Sequence, residues 1–176
     1  MVSARKEEVT RIQNKPAVAY IFPGQGSQFV GMGQDLYKAS SGAKQIFDIV
    51  DDCLGFSLSS VMFQGPASDL AMTVNSQPAI MATSLAALAA FQELVPENRL
   101  IPLALAGHSL GEYSSLVAGG VVDLVDGIEL VKERGRLMQE ASDVRDGGMA
   151  AIIGLDESTV EKLCVEALIK YIPLEY

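Results

Sequence analysis

The chain has 176 residues and 49% of them are hydrophobic, so it is long and apolar enough to bury a core and is not a disordered chain. Its 22 Asp and Glu outnumber its 13 Lys and Arg, and a net charge of −9 without a basic block excludes a nucleic-acid partner, because phosphate contacts need clustered cations. Its apolar stretches fall short of the ~18 residues of a membrane span, and its N-terminus lacks the apolar segment of a secretory signal, so we expect a cytoplasmic protein without a membrane partner.

The first half of the chain combines one short apolar run with two helical patterns. The run over 17–22, stopped by Pro23-Gly24, predicts a buried strand that enters a turn. Apolar residues that recur at steps of three and four predict a helix over 41–54. A second helix is predicted over 78–94, with Pro78 at its first position, where the missing N–H is not needed. This helix is apolar nearly all round, so we expect it to be deeply buried.

The second half continues the alternation of strands and helices. The predicted elements are a strand over 103–106, a helix over 110–118, a helix over 124–141, a strand over 149–154 and a helix that ends at about Cys164. Asp123 and Asp156 precede the last two helices as N-caps. Buried strands separated by helices indicate an α/β fold with a largely parallel sheet.

A G-x-S-x-G pattern follows the second predicted strand, at Gly107-His108-Ser109-Leu110-Gly111. In this pattern a serine sits on a sharp strand-to-helix turn, and the residues two positions away from it cannot carry side chains. The context fits, because the predicted strand ends at Ala106 and the predicted helix begins at Leu110. Ser109 is therefore predicted to be a nucleophile; the alternative is a structural turn serine.

The chain contains a single histidine, His108, next to the predicted nucleophile. Its side chain should leave the turn in a different direction from Ser109, so we interpret it as a packed or turn-supporting residue. A serine nucleophile normally needs a base within hydrogen-bond reach. No other histidine is present, so the general base of Ser109 is not expected within this chain.

The glycine-rich loop that starts at Gly24 fails both nucleotide-binding patterns. Phe29 stands where the dinucleotide fingerprint needs a third glycine, and the Gly-Lys-Ser/Thr of the P-loop is absent. Its glycines instead let the backbone approach a ligand and offer N–H groups to an oxyanion. The two cysteines, Cys53 and Cys164, match no metal spacing, and we expect two reduced, buried thiols and no metal.

Arg134 has two interpretations. It can be an exposed arginine that pairs with a glutamate on its own helix, the candidates being Glu129, Glu133 and Glu140. Alternatively, because Gly135 and its apolar neighbours suggest close packing of that helix, Arg134 can lie at the edge of a buried stripe. A guanidinium held there can bind a carboxylate through two hydrogen bonds.

Several motifs together resemble the malonyl-CoA:acyl carrier protein transacylase family, the acyltransferases of fatty-acid and polyketide synthesis. The resemblance covers about residues 16–165. Its two long motifs are Phe22-Pro23-Gly24-Gln25-Gly26-Ser27-Gln28 and Gly107-His108-Ser109-Leu110-Gly111-Glu112-Tyr113. Shorter matches occur at Gln77-Pro78-Ala79, at 131–139 and at 148–152.

The resemblance implies roles for particular residues. Ser109 would accept the malonyl group from malonyl-CoA and pass it to the phosphopantetheine thiol of acyl carrier protein. Gln25 and the backbone N–H of Leu110 would form the oxyanion hole, and Arg134 would bind the free carboxylate of the malonyl group. No cofactor is implied.

The resemblance also implies a fold and a domain organisation. His108 and Gln77 would support the site. The family fold is an α/β-hydrolase-like parallel sheet with helices on both faces, into which a ferredoxin-like small subdomain is inserted. We therefore expect an N-terminal tail over 1–15, part of the large subdomain over 16–146, the start of the small subdomain over 147–165 and a divergent tail over 166–176.

Two alternatives to a malonyl transferase stay open at this point. The G-x-S-x-G pattern is shared with serine hydrolases and thioesterases, although the Phe22–Gln28 motif and Arg134 do not belong to that motif set. Family members are also longer, and their catalytic histidine lies in the second half. The chain is thus expected to be a truncated copy, active or an inactive remnant without that histidine.

Overall fold

The structure, a computed structural model, describes residues 17–95, 101–143 and 152–171. The chain divides into two compact units, Met1–Asp143 and Val144–Tyr176. Within the described ranges, no helix is both long and apolar enough to cross a membrane. The predicted tail over 1–15 lies outside the described residues, as do residues 172–176 of the predicted C-terminal tail.

Two parallel strands and the helices around them form the first unit. Strand β1 is Ala19–Phe22 and β2 is Ala104–Gly107, with Ala19 opposite Ala104 and Phe22 opposite Gly107. The helices of this unit are α1 Gln34–Ala39, α2 Ser41–Leu54, α3 Leu58–Gln64, α4 Ala67–Ala71, α5 Thr73–Leu94, α6 Leu110–Ala118 and α7 Leu124–Asp143. The parallel pairing and the helical content confirm the predicted α/β class, but the prediction of buried strands was wrong, because Phe22 is the one buried residue of β1 and β2.

The sequence pattern located the long helices better than the short ones. The bounds of α2 and α6 are those predicted, and α7 begins directly after Asp123. Helices α1, α3 and α4 were not predicted, because segments of five to seven residues are too short to show a helical period.

Helix α5 begins earlier than predicted. It starts at Thr73, so Pro78 lies inside the helix and not at its first position, and the prediction of the start was wrong. A proline inside a helix removes one intrahelical hydrogen bond. Burial outweighs that loss, because Pro78 and its neighbours are enclosed where α5 packs against α2 and α7. The predicted deep burial is confirmed over 76–86, where residues are buried or half-buried, but residues 91–94 at the end of α5 are exposed, so the prediction was wrong for that turn.

The core lies between α2, α5 and α7. Its buried residues include Phe47, Val50, Ile80, Leu85, Ile128 and Val131. The start of α2 is fixed by Ser40, whose side chain accepts a hydrogen bond from the N–H of Ala43 at 2.9 Å. Near the end of α5, Glu93 accepts hydrogen bonds from the N–H of Gly42 at 2.6 Å and from the hydroxyl of Ser41 at 2.8 Å. These contacts join the end of α5 to the start of α2.

In the second unit the structure describes one helix, α8, over Glu157–Tyr171. Asp156 caps it as predicted, accepting a hydrogen bond from the N–H of Thr159 at 3.0 Å. Hydrogen bonds from Ser158 and Thr159 lower the pKa of Asp156 to about 2. Half of the strand predicted over 149–154 lies outside the described residues; the other half, 152–154, is not in a strand, so the prediction was wrong there.

The cysteines are only partly as predicted. Both are free, but Cys53 is half-buried and Cys164 is exposed, so the prediction of two buried thiols was wrong. Cys164 lies in α8, and the described residues of its unit provide no second helix to cover it.

Candidate active site

The predicted nucleophile lies in a strained turn between β2 and α6. Strand β2 ends at Gly107, helix α6 begins at Leu110, and Ser109 between them has φ 55° and ψ −108°. It is the one non-glycine residue with positive φ in the described part of the chain. Such a conformation costs ~1–3 kcal/mol and persists only where the surroundings hold it. Here the N–H of His108 donates to the carbonyl of Phe22 at 3.1 Å, which ties the turn to β1.

The glycines on either side of Ser109 have no room for a side chain. A Cβ on Gly107 would lie 1.9 Å from the carbonyl carbon of Gly111. A Cβ on Gly111 would lie 2.3 Å from the carbonyl oxygen of Phe22. Both obstacles are backbone atoms, so the steric reason for glycine in the G-x-S-x-G pattern is present in this structure.

Arg134 contacts the hydroxyl of Ser109. Its Nη2 donates to Ser109 Oγ at 2.9 Å, and its Nη1 donates to Gln77 Oε1 at 2.5 Å. The guanidinium carbon also lies 5.7 Å from the ring centre of Tyr113, which is cation–π distance. Three residues that are far apart in the sequence, Gln77, Ser109 and Arg134, are thus joined by hydrogen bonds.

Two of the three candidate glutamates on α7, Glu133 and Glu140, are bound by a different arginine. Arg136 pairs with Glu133 at 2.6 Å and also with Glu140. The hydrogen bond from Arg136 lowers the pKa of Glu133, and the hydrogen bonds to Glu133 and Glu140 raise the pKa of Arg136. Within residues 17–95 and 101–143, no carboxylate pairs with Arg134. The surface ion pair expected as one alternative for Arg134 is therefore formed by Arg136.

A close approach of α7 to α5 brings Arg134 to Gln77. A Cβ on Gly135 would lie 3.0 Å from the carbonyl oxygen of Thr73 and 3.2 Å from the α-carbon of Val74, so a glycine lets α7 contact the first turn of α5. Gln77 is fully buried at this contact. The predicted close packing around Gly135 is confirmed, and it places the guanidinium beside the Ser109 turn.

The glycine-rich loop between β1 and α1 lies against the same turn. A Cβ on Gly24 would lie 2.6 Å from the carbonyl oxygen of His108 and 2.7 Å from its Nδ1. Ser27 Oγ donates to the carbonyl of Gly24 at 2.9 Å and holds the loop in a tight bend. Gln25 is half-buried in this loop, and among the described residues it forms no hydrogen bond with Ser109.

The other two predicted site residues flank Ser109 in the sequence. His108 is exposed, and its ring lies against Gly24, while the Ser109 hydroxyl bonds to Arg134. Leu110 is buried and is the first residue of α6, where N–H groups have no acceptor within the helix. The described residues contain no cluster of three or more His, Cys, Asp or Glu that can hold a metal ion.

Comparison with known proteins identifies the family. Residues 19–171 match the family described as "Acyl transferase domain". The chain belongs to this family. It is 45% identical over 146 residues to the malonyl CoA-acyl carrier protein transacylase of Bacillus subtilis (strain 168), covering 83% of this chain and 45% of the relative. It is 44% identical over 149 residues to the Escherichia coli (strain K12) protein of the same name, covering 85% of this chain and 47% of the relative.

Solved structures also match the chain. The acyl-carrier-protein-S-malonyltransferase of Bartonella henselae matches with a TM-score of 0.75 and 40% identity, over 88% of this chain and 49% of that one. A type II PKS acyl-carrier protein in complex with its malonyl-transacylase matches with a TM-score of 0.73 and 40% identity, over 89% of this chain and 50% of that one. The chain spans about half the length of the curated relatives it matches. These findings confirm the resemblance seen in the motifs.

Two contacts of this acyl transferase site were not predicted from the sequence. Tyr113 lies against the guanidinium of Arg134, and Met138 Sδ accepts a hydrogen bond from Gln77 Nε2 at 3.2 Å. A signal for both exists in the sequence. Met138 is four residues after Arg134, and residues four apart share one face of a helix; Tyr113 lies in the first turn of the helix that follows Ser109.

Proposed function

We propose that this chain carries the nucleophile and the carboxylate-binding residue of an enzyme that transfers a malonyl group from malonyl-CoA to acyl carrier protein. The observation that carries the proposal is the hydrogen bond between Arg134 and Ser109 in the strained turn. Ser109 Oγ attacks the thioester carbonyl and expels the CoA thiol, which leaves a malonyl ester on the serine. The phosphopantetheine thiol of acyl carrier protein then attacks this ester and releases Ser109.

The position of Arg134 suits a malonyl ester. In that ester two carbon atoms separate Ser109 Oγ from the carboxylate carbon, so a cation within hydrogen-bond distance of Oγ is close enough to bind the carboxylate. The described partners of the guanidinium are neutral, which leaves its positive charge available to the substrate. Its planar fork matches a carboxylate through two hydrogen bonds.

The oxyanion that forms during attack needs donors close to Ser109. The N–H of Leu110 is suited to this role, because it is the first N–H of α6 and the helix directs its positive end at the turn. Gln25 in the neighbouring loop supplies the second donor. The glycines on either side of Gln25 let the loop backbone come close to a ligand, and catalytic hydrogen bonds often tighten only in the complex.

The general base is proposed to lie outside these 176 residues. The sequence has one histidine, His108, and its ring lies against Gly24 while the hydroxyl of Ser109 bonds to Arg134. His108 and Gln77 are therefore supporting residues, through the turn and through Arg134 respectively.

The finer fold also belongs to the proposal. We assign β1 and β2 to an α/β-hydrolase-like parallel sheet with helices on both faces, because the order strand, serine turn, helix is that of its nucleophile elbow. Residues 147–165 begin a ferredoxin-like subdomain. This organisation, the divergence over 166–176 and the cytoplasmic location stay predictions.

Mass spectrometry of the Ser109 peptide tests the function directly. The test uses the full-length protein, by which we mean a complete enzyme that carries this sequence. After treatment of this protein with malonyl-CoA, we expect a malonyl adduct on Ser109 that disappears when acyl carrier protein bearing phosphopantetheine is added. Ser109→Ala removes the adduct because alanine has no nucleophile. Ser115→Ala is the matched control, since Ser115 lies on α6, the helix that follows Ser109, and its hydroxyl donates to the carbonyl of Glu112 at 2.7 Å.

The outcomes separate the competing functions. Release of free malonate at the same rate with and without the carrier protein would indicate a hydrolase or thioesterase. Absence of any adduct on Ser109 would contradict the proposal and indicate an inactive remnant.

A further inference from the structure

A buried amide connects the arginine of the site to a methionine. Gln77 Oε1 accepts from Arg134, and on its other side Gln77 Nε2 donates to Met138 Sδ. We propose that Met138 is a positioning residue. Its thioether fixes the orientation of the Gln77 amide, and the amide in turn fixes the orientation of the Arg134 guanidinium. The inference rests on the proposed function, because the property it sets is the preference of the site for an acyl group with a free carboxylate.

The chemistry of the two neighbours allows the amide only one orientation. A guanidinium has donors and no acceptor, whereas a thioether sulfur has lone pairs and no donor. The carbonyl end of Gln77 therefore faces Arg134 and the NH₂ end faces Met138. If the amide turned over, its NH₂ group would meet the donors of Arg134, and its oxygen would meet a sulfur that cannot donate.

Burial makes this orientation important. Gln77 is fully buried, so its amide cannot exchange a poor partner for bulk water. An unsatisfied buried polar group is expensive, and the native arrangement avoids it at both ends of the side chain. Arg134 and Met138 are four residues apart on α7, one helical turn, so the same helix supplies the donor and the acceptor.

Loss of the sulfur therefore affects Arg134 indirectly. Leucine at position 138 has a similar volume but no acceptor, so the NH₂ group of Gln77 is left without a partner. The amide is then held by a hydrogen bond at one end only, so the acceptor that it offers to the guanidinium beside Ser109 is less firmly fixed. Binding of a carboxylate suffers, whereas an acetyl group makes no use of the guanidinium.

Kinetics of malonyl and acetyl transfer by the full-length protein test the inference. For Met138→Leu we expect the ratio of malonyl to acetyl kcat/KM to fall roughly three- to tenfold, the effect of one neutral hydrogen bond. Met138→Gln keeps an acceptor at that position and should retain most of the ratio. Met62→Leu is the control, because it is the same substitution at a buried position in α3 and should leave the ratio unchanged.

A double-mutant cycle separates positioning from packing. If Met138 acts through the Gln77 amide, then Met138→Leu should change the ratio no further in a Gln77→Leu background. Independent, multiplying effects of the two substitutions would overturn the inference, as would an equal loss of malonyl and acetyl transfer in Met138→Leu.

A measurement that does not depend on catalysis distinguishes this inference from the proposed function. NMR of labelled arginine reports rotation of the Arg134 guanidinium about its Nε–Cζ bond. We expect slow rotation in the native protein and in Met138→Gln, and faster rotation in Met138→Leu. That result without malonyl transfer would refute the proposed function and leave the positioning role intact. Unchanged rotation in Met138→Leu would refute the positioning role.

Discussion

The glycine that follows Ser109 by two residues provides a demanding test of the turn. In Gly111→Ala the added Cβ would lie 2.3 Å from the carbonyl oxygen of Phe22 and 2.8 Å from that of Pro23. Real Cβ contacts essentially never fall below 3.0 Å, so helix α6 and strand β1 must separate by about 0.7 Å. A backbone carbonyl cannot rotate away as a flexible side chain can.

The expected loss of stability follows from these contacts. Overpacking of a close-packed site costs ~1–3 kcal/mol. Separation of the elements also strains the hydrogen bond from the N–H of Gly111 to the carbonyl of His108, 2.9 Å long here, which contributes about 1 kcal/mol. We therefore expect Gly111→Ala to lower the free energy of unfolding by roughly 2–4 kcal/mol.

Urea unfolding of the full-length protein measures this loss, with Gly119→Ala as the control. Gly119 directly follows the same helix with φ −83°, a conformation open to alanine, and an added Cβ would lie 3.2 Å from its nearest neighbour, the carbonyl oxygen of Ser115, so the substitution should change stability by no more than about 1 kcal/mol. The Ser109 adduct should disappear with Gly111→Ala and persist with Gly119→Ala. A Gly111→Ala protein as stable as the Gly119→Ala protein would refute the steric reasoning.

Two further predictions concern charged groups. Arg134→Ala should reduce malonyl transfer by roughly a hundredfold or more, because a buried carboxylate without its cation costs ~3–5 kcal/mol. Acetyl transfer should be retained, since an acetyl group has no carboxylate. An equal loss for both acyl groups in a kinetic assay would mean that Arg134 has a structural role instead. Hydrogen bonds from Ser40, Gly42 and Ser41 lower the pKa of Glu93 below its ordinary value of 4.5. The ionised Glu93 carboxylate therefore stabilises the folded state fully above pH 4.5, and this stabilisation is lost as the pH falls through the lowered pKa of the folded state. Glu93→Gln should therefore lower the melting temperature at pH 7, with a difference that shrinks in acid; a difference independent of pH would contradict the assignment.

Local requirements explain what the sequence could predict. The turn at Ser109 follows from Gly107 and Gly111, because the clash that excludes side chains there involves backbone atoms within five residues and the adjacent strand. Helix α2 was predicted to its ends, because its apolar period is regular over fourteen residues. Pro78 was misplaced for the opposite reason. Its position inside α5 depends on burial against α2 and α7, which the local pattern does not contain.

The sequence alone did not identify the hydrogen-bond partners of Arg134. Gln77 and Ser109 are 57 and 25 residues away from it, whereas Glu129, Glu133 and Glu140 lie on its own helix and are the more obvious partners. In α7, residues three and four apart lie next to each other on the helix surface. Arg136 is three residues from Glu133 and four from Glu140, and it binds both.

This division of the two arginines bears directly on the proposed chemistry. An arginine already paired with a carboxylate would have to break that ion pair before it could bind a malonyl group. Arg134 instead donates hydrogen bonds to the amide oxygen of Gln77 and the hydroxyl of Ser109, which orient its guanidinium without neutralising its charge. Arg136 binds Glu133 and Glu140 on the exposed face of α7, so these two carboxylates do not compete for the charge of Arg134. Under the proposed function, the positive charge that selects a carboxylate at Ser109 is available because Arg136, and not Arg134, binds Glu133 and Glu140.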